Sequence, residues 1–296
     1  MVTQRVGAIE AGGTKFNCAV VDSQYSVTHE VRIPTTHPTE TLGAIVDFFK
    51  AHRVDAIGVS SFGPLDLNPQ SEAFGSITCT PKLAWRNTNI LEPLRTFGIP
   101  LAIDTDVNGA AFGEYTCGAA QGLHSFLYFT IGTGIGGGGM LAGNLMHGLT
   151  HPEMGHIFLP HDRSRDPFPG CCPSHGNCFE GLASGPALEK RWGKDPSALS
   201  PSDPAWDLEA HYIALALANT VLTVSPQRII LGGGVMQNEF LFPMIREKLQ
   251  RLLNNYVQHS ALLEEIDSFV VPPALGGQAG VVGAAALALK ALTATR

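Results

Sequence analysis

Charge is scarce in this sequence. Lys, Arg, Asp and Glu make up 15% of its 296 residues, against about 25% in an average globular domain. What charge there is leans acidic: 19 Lys+Arg stand against 26 Asp+Glu, a formal net charge of −7, and the basic residues form no cluster. That excludes the electrostatic footprint of a nucleic-acid or anionic-membrane partner. Long apolar runs are missing as well. The stretch Ile213–Val224 is interrupted by Asn219 and Thr220 and falls short of the ~20 residues a bilayer-spanning helix needs. The N-terminus, Met1–Val6, enters a strand-like pattern directly, without a basic n-region and apolar h-region, so no targeting segment is expected. Cysteine is too sparse, at 6 residues, for a disulfide scaffold. The 44% hydrophobic content, in turn, excludes a disordered chain.

Glycine is what the sequence has in excess: 33 residues, with no every-third-residue period. Its placement follows a repeated grammar. Ala8–Ala11 is an apolar run, Gly12-Gly13-Thr14 a turn, and Phe16–Val21 a second apolar run. Phe126–Ile131, Gly132-Thr133-Gly134 and Ile135–Leu141 repeat the pattern, and Gly232-Gly233-Gly234 follows the short strand Arg228–Leu231. Glycine lets backbone N–H groups approach a ligand with no Cβ in the way. Successive N–H groups in a turn form a concavity for an anion, and a Thr hydroxyl adds a donor. One such turn would be an ordinary hairpin; three at strand ends suggest polyphosphate binding. None is a Walker A loop or a G-x-G-x-x-G fingerprint.

The remainder predicts an α/β fold. Helices are expected over 40–53, 107–115, 205–224, 240–254 and 279–292, and strands at 56–60 and 101–103. Asp162–Pro169 and Lys194–Pro204, rich in Pro, Ser and Asp, read as surface loops. Strand–turn–strand units followed by alternating strands and helices, given twice, imply two related α/β halves with a ligand cleft between them.

Two clusters carry chemistry. Asp104 and Asp106 stand where a strand ends and a helix begins, the edge at which open α/β sheets bind ligands. Asp104 and Thr105 suit helix capping. Asp106 suits a base that takes a hydroxyl proton during phosphoryl transfer, and Glu114, two turns on, reads as structural. His156 followed by Cys172, His175 and Cys178 supplies four N/S ligands, the set of a closed tetrahedral zinc site with no open position for activated water. The metal is therefore read as structural rather than as a hydrolase centre. Cys171 is left as a spare thiol, and His147, His151 and His161 as surface polar groups. The thiols suggest a reducing compartment, and cytoplasmic location is the expectation.

Taken together these residues resemble the ROK (repressor–open-reading-frame–kinase) family of sugar kinases, and within it the bacterial fructokinases, nearly end to end. Glu10–Lys15 is similar to the family's first phosphate loop, Thr130–Gly136 to the second, and Leu231–Val235 to the adenosine-side turn. Asp104–Glu114 resembles the segment whose catalytic aspartate falls on Asp106. Glu153-Met154-Gly155-His156 is similar to E-x-G-H, and Glu180 falls on a further sugar-contacting glutamate. Thr105 stands where many relatives carry Asn. The spacing Cys172-x₂-His175-x₂-Cys178 looks like the fructokinase branch.

The resemblance implies an actin-like/hexokinase-like (ribonuclease H-like) fold of two domains, 1–118 with 279–296 and 119–278, the second carrying the zinc loop. It implies an ATP-dependent hexose kinase with Asp106 as general base, fructose being favoured. Gly12, Gly13, Thr14, Lys15, Gly132, Thr133, Gly134 and Gly232–Gly234 would surround ATP. Thr105, Asp106, Glu153, His156 and Glu180 would meet the sugar; His156, Cys172, His175 and Cys178 would hold Zn²⁺. Mg²⁺ is expected with ATP, and Glu10 could hold it through water. Kinases of mannose, glucose or N-acetylmannosamine are the alternatives, as is a sugar-sensing regulator. Against the regulator, the first phosphate loop begins by residue 10, which leaves no room for a preceding DNA-binding segment. A homodimer is the family's habit.

Overall fold

Apolar side chains of Arg5–Ala11 point alternately to two covered faces. The computed structural model, which describes residues 4–294, makes this segment β1, the middle strand of a five-stranded sheet. The expectation for Met1–Thr3, and the last two residues of the segment 279–296, lie outside the described residues. β2 (Lys15–Asp22) pairs antiparallel with β1, and β3 (Val27–Pro34) antiparallel with β2. After helix α1 (Pro38–Ala51), β4 (Ala56–Ser61) returns parallel to β1. A two-stranded ribbon, β5 (Ser76–Ile77) with β6 (Thr88–Asn89), precedes β7 (Leu101–Thr105), which lies parallel to β4 and runs directly into α2 (Asp106–Cys117).

The second sheet repeats this order. β8 (Phe126–Ile131) pairs antiparallel with β9 (Ile135–Leu141), with β10 (Asn144–Leu145) beyond it. The helices α3 (Phe179–Ala183), α4 (Gly185–Trp192) and α5 (Ala205–Val224) follow, then β11 (Ile229–Gly232), parallel to β8. α6 (Leu241–Leu253) and the short turns α7 (Ser260–Leu263) and α8 (Ile266–Phe269) lead to β12 (Val270–Val271). The chain closes with α9 (Ala279–Ala294).

Two compact units result. One holds the residues up to Gly122, Leu145–Pro152 and the segment from Ala274 onward; the other holds Leu123–Asn144 and Glu153–Pro273. The octapeptide Leu145–Pro152, expected with the second domain, groups with the first because it bonds there: His147 to Asp104, Met146 to Asn108 and His151 to Leu65.

In the first unit the sheet is covered on both sides. Ile9, Phe16 and Ile57 pack with Ile45 and Phe49 of α1 and with Trp85, all essentially buried. On the opposite face Val6, Ala8, Ala19 and Val21 meet Ala284, Ala285 and Ala288 of α9. That second interface has no room for side chains. A Cβ on Gly58 would strike the backbone of Ala284, one on Gly113 the carbonyl of Ala279, and one on Gly283 the carbonyl of Gly109. Contrary to the expectation that long apolar runs are missing, Gly276–Ala294 is long and apolar enough to cross a membrane by length and composition. Its alanines are instead the core of this unit.

Helices fall where periodicity put them, α5 over the same residues as expected. α1 begins earlier, because Pro38, whose missing N–H costs nothing in the first turn, starts it. The stretch Asp162–Pro169 is not wholly a surface loop. Asp166 is buried, taking hydrogen bonds from Tyr212 Oη (2.6 Å) and Arg191 Nε (3.2 Å). Burial alone would raise the Asp166 carboxyl, but these donors and the Arg191 charge outweigh it and hold it below the usual carboxylate range.

Candidate active site and metal cage

In the first unit, β1 ends in the turn Gly12–Thr14. Gly12 N–H donates to Lys15 O (3.0 Å) and Thr35 Oγ1 to Gly12 O (2.8 Å), which fixes the turn and leaves the Thr14 and Lys15 side chains exposed. Glu10, one residue before β1 ends, accepts from Asn17 Nδ2 at 2.6 Å. Burial pushes its carboxyl above the usual range, partly opposed by that hydrogen bond and by Lys15.

The β7–α2 junction is built around carboxylates. Thr105 caps α2, its Oγ1 accepting the Asn108 N–H at 3.1 Å. Asp106 opens the helix and takes its neighbour's Val107 N–H on Oδ1 at 2.9 Å. Asp104 is buried (3% exposed). Its Oδ1 accepts from Thr105 N (2.8 Å) and Asn108 Nδ2 (2.9 Å), and its Oδ2 lies 2.9 Å from His147 Nε2. Hydrogen bonding to Asp104 raises the His147 pKa, against the effects of burial and of Lys290. Glu114, fully buried, receives N–H groups from Ala119 (2.6 Å), Ala274 (3.1 Å) and Leu275 (2.9 Å), the structural role expected of it.

In the second unit the turn after β8 is closed by Gly132 N–H to Gly134 O (2.9 Å), and Gly185 N–H bonds Gly132 O (2.8 Å). Glu180 Oε2 accepts the Ile135 N–H at 3.0 Å and abuts Gly134, where a Cβ would collide with it. Thus one expected sugar contact, Glu180, is hydrogen-bonded to the rim of an expected phosphate turn. After β11, Gly233 takes φ +92° with the Ile131 backbone where a Cβ would stand, so only glycine fits there.

His156, Cys172, His175 and Cys178 bring four ligand atoms within 4.8 Å of one another. His156 Nδ1 is 3.5 Å from Cys178 Sγ and 3.7 Å from Cys172 Sγ, which is itself 3.7 Å from His175 Nδ1. A tetrahedral ion with S and N ligands at zinc distances makes S···N edges of about 3.6 Å, so the four residues fit a metal ion. Cys172 and Gly176 exchange backbone hydrogen bonds (3.1 and 2.9 Å), turning the loop so that His175 and Cys178 face back. Next to the cage, Asn177 Nδ2 meets His161 Nδ1 at 3.2 Å, and the other His161 nitrogen reaches Asp166 O at 2.9 Å. Through His161 and Asp166 the loop is anchored to Arg191 of α4 and Tyr212 of α5.

The profile of the ROK family matches residues 6–291. The chain belongs to the ROK family. Among curated relatives, the fructokinase of Zymomonas mobilis is 45% identical over 295 residues, covering 96% of this chain and 96% of its own. The fructokinase of Pediococcus pentosaceus is 44% identical over 288 residues, covering 97% and 98%. Of solved structures, the ROK hexokinase of Thermus thermophilus superposes with a TM-score of 0.79 at 28% identity, over 98% of this chain and all of its own. The fold is thus the actin-like one of ROK hexokinases.

Within this ROK chain, the residues expected to act are positioned by strand ends and helix starts: Asp106 after β7, Gly132–Gly134 after β8, and Gly232–Gly234 at the end of β11. Two of the three histidines read as surface groups are buried: His151, only 8% exposed, accepts the Leu65 N–H at 3.0 Å, and the His161 side chain is 3% exposed. His147 is at the surface, its side chain 43% exposed, and is at the same time paired with Asp104. Sequence reasoning also missed Asn108, which bridges Asp104 and the Met146 carbonyl. Its place in the first turn of α2, just past the Asp104–Asp106 pair, was the available signal.

Proposed function

We propose that this protein is an ATP-dependent hexose kinase whose acceptor is fructose. The observation that supports it best is likeness to fructokinases at 44–45% identity over nearly the whole of both chains, together with a carboxylate, Asp106, at the sheet edge where α2 begins. In this reading Asp106 takes the proton from the sugar's 6-hydroxyl. That oxygen then forms a bond to the γ-phosphorus while the bond from phosphorus to the bridging oxygen breaks, and ADP leaves with the electron pair. The donors of Gly12–Lys15 and Gly132–Gly134 neutralise the phosphates, and Gly232–Gly234 lies by the adenosine. Mg²⁺, bound with ATP, supplies charge neutralisation on the phosphate oxygens.

Thr105, Glu153, His156 and Glu180 are the proposed sugar contacts. Thr105 is already engaged as a helix cap, so a contact there would use its remaining hydroxyl valence. The cage of His156, Cys172, His175 and Cys178 is proposed to hold zinc structurally, since four ligands leave no open position.

ADP release measured across fructose, mannose, glucose and N-acetylmannosamine tests the assignment. Fructose should give the highest kcat/KM. Equal or higher kcat/KM for another hexose would reassign the acceptor, and ADP release independent of any sugar would refute the kinase reading.

A further inference from the structure

The loop Leu145–Pro152 is separated from α2 by β8 and β9, yet it lies on the catalytic junction. Polar contacts hold it there. His151 Nε2 takes the Leu65 N–H at 3.0 Å, Met146 O takes Asn108 Nδ2 at 3.3 Å, and His147 Nε2 meets Asp104 Oδ2 at 2.9 Å. Apolar packing contributes little at its tip, where Leu149 is fully exposed. Two of the three contacts end on the residues that bracket Asp106.

Asp104 is the hub of that bracket. One oxygen grips Thr105 N–H, immediately before Asp106, and Asn108 Nδ2, two residues after it. The other oxygen meets the imidazole of His147. A buried carboxylate oxygen left without a donor is costly, so without His147 the carboxyl would rotate to find one. Thr105 and Asn108 would then lose their shared anchor.

We propose that His147 is a positioning residue for phosphoryl transfer: by holding Asp104 in one rotamer, it fixes the turn that presents Asp106. The proposal rests on the kinase reading above and deepens it. His147 reaches the chemistry through Asp104 and needs no contact with substrate. Its contribution is geometric, and a displacement of about 1 Å at a catalytic group is enough to cost roughly 100-fold in rate.

The test compares the parent with His147→Ala and His147→Gln. Gln can place an amide N–H on Asp104, whereas Ala cannot. Each protein is assayed for fructose-dependent ADP release, for its melting midpoint, and for the stoichiometry of binding a non-hydrolysable ATP analogue. In the Ala variant kcat should fall about 10- to 100-fold, with analogue stoichiometry and KM for ATP near parental. Gln should recover most of the lost kcat. Parental kcat in the Ala variant would overturn the proposal, as would a Gln variant no faster than Ala. If the Ala variant does not fold, Asp104→Asn replaces it: lowered kcat with parental analogue binding is expected, and parental kcat overturns the idea. A parent that releases no ADP with any hexose overturns the kinase reading and this proposal together. A parent that turns over beside an equally fast Ala variant overturns the positioning role alone.

Discussion

Glu114 and Leu275 are 161 residues apart in sequence and 2.9 Å apart in space: the glutamate's Oε1 accepts the leucine's backbone N–H just ahead of α9. Its Oε2 accepts from Ala274 and Ala119. One fully buried side chain thus satisfies three backbone donors and fastens the start of the C-terminal segment to the end of α2.

Replacing Glu114 by Ala removes the acceptor of three part-buried N–H groups, a loss of roughly 2–4 kcal/mol. Thermal melting should show a midpoint lower by several degrees, with Glu114→Gln, which keeps one oxygen, falling between. A Glu114→Ala protein melting with the parent would mean that water replaces the carboxylate.

Asp106→Asn keeps the size of the side chain and an acceptor oxygen for the Val107 N–H but removes the proton acceptor. Sugar binding, followed by calorimetry, should remain close to parental while phosphorylation drops by about 10²–10⁴. Retained turnover would reject Asp106 as the base.

Elemental analysis of the purified chain should find about one zinc per chain, and chelation should lower the melting midpoint, because metal held by His156, Cys172, His175 and Cys178 is linked to folding. Cys178→Ser should lose metal and stability together. A metal-free protein with an unchanged melting curve would count against the cage.

His147 sets a pH dependence. Its pKa is raised in the folded state, chiefly by the hydrogen bond to Asp104. The pair's extra stability is therefore fully present below the unfolded value of about 6.5 and is lost as pH rises through the folded one. Lys290, on α9, is the opposing charge. Comparing melting midpoints of parent and His147→Gln from acid to alkaline pH should show the parent's advantage shrinking. The ring is partly exposed, so the change should be small. An advantage that grows with pH would reverse the sign of the coupling.

The parts readable from sequence are those written in short segments. Gly12–Thr14 and Gly132–Gly134 stand between apolar runs, Asp106 follows one, and Cys172, His175 and Cys178 are spaced for one metal. Local composition reports which residues could do a job nearby. It is silent on partners brought together by the fold. His147 and Asp104 are 43 residues apart and His151 and Leu65 are 86 apart, so neither pairing, nor the burial of His151, could be read locally. Asp166 was hidden in a Pro- and Ser-rich stretch because its reason for burial, Arg191 and Tyr212, lies on two later helices.

The glycine-lined seat of α9 has a consequence for how the chain comes to be folded. Gly58, Gly109 and Gly113 are translated early, but the helix they receive emerges from the ribosome only after the whole of the other unit. Until then one face of the first sheet, Val6, Ala8, Ala19 and Val21, has no cover. The nascent first unit must wait, open on that side, until the last segment of the chain is made. Vectorial synthesis thus delivers the cover of the first sheet last, and until it arrives that face is exposed apolar surface of the kind prone to aggregate.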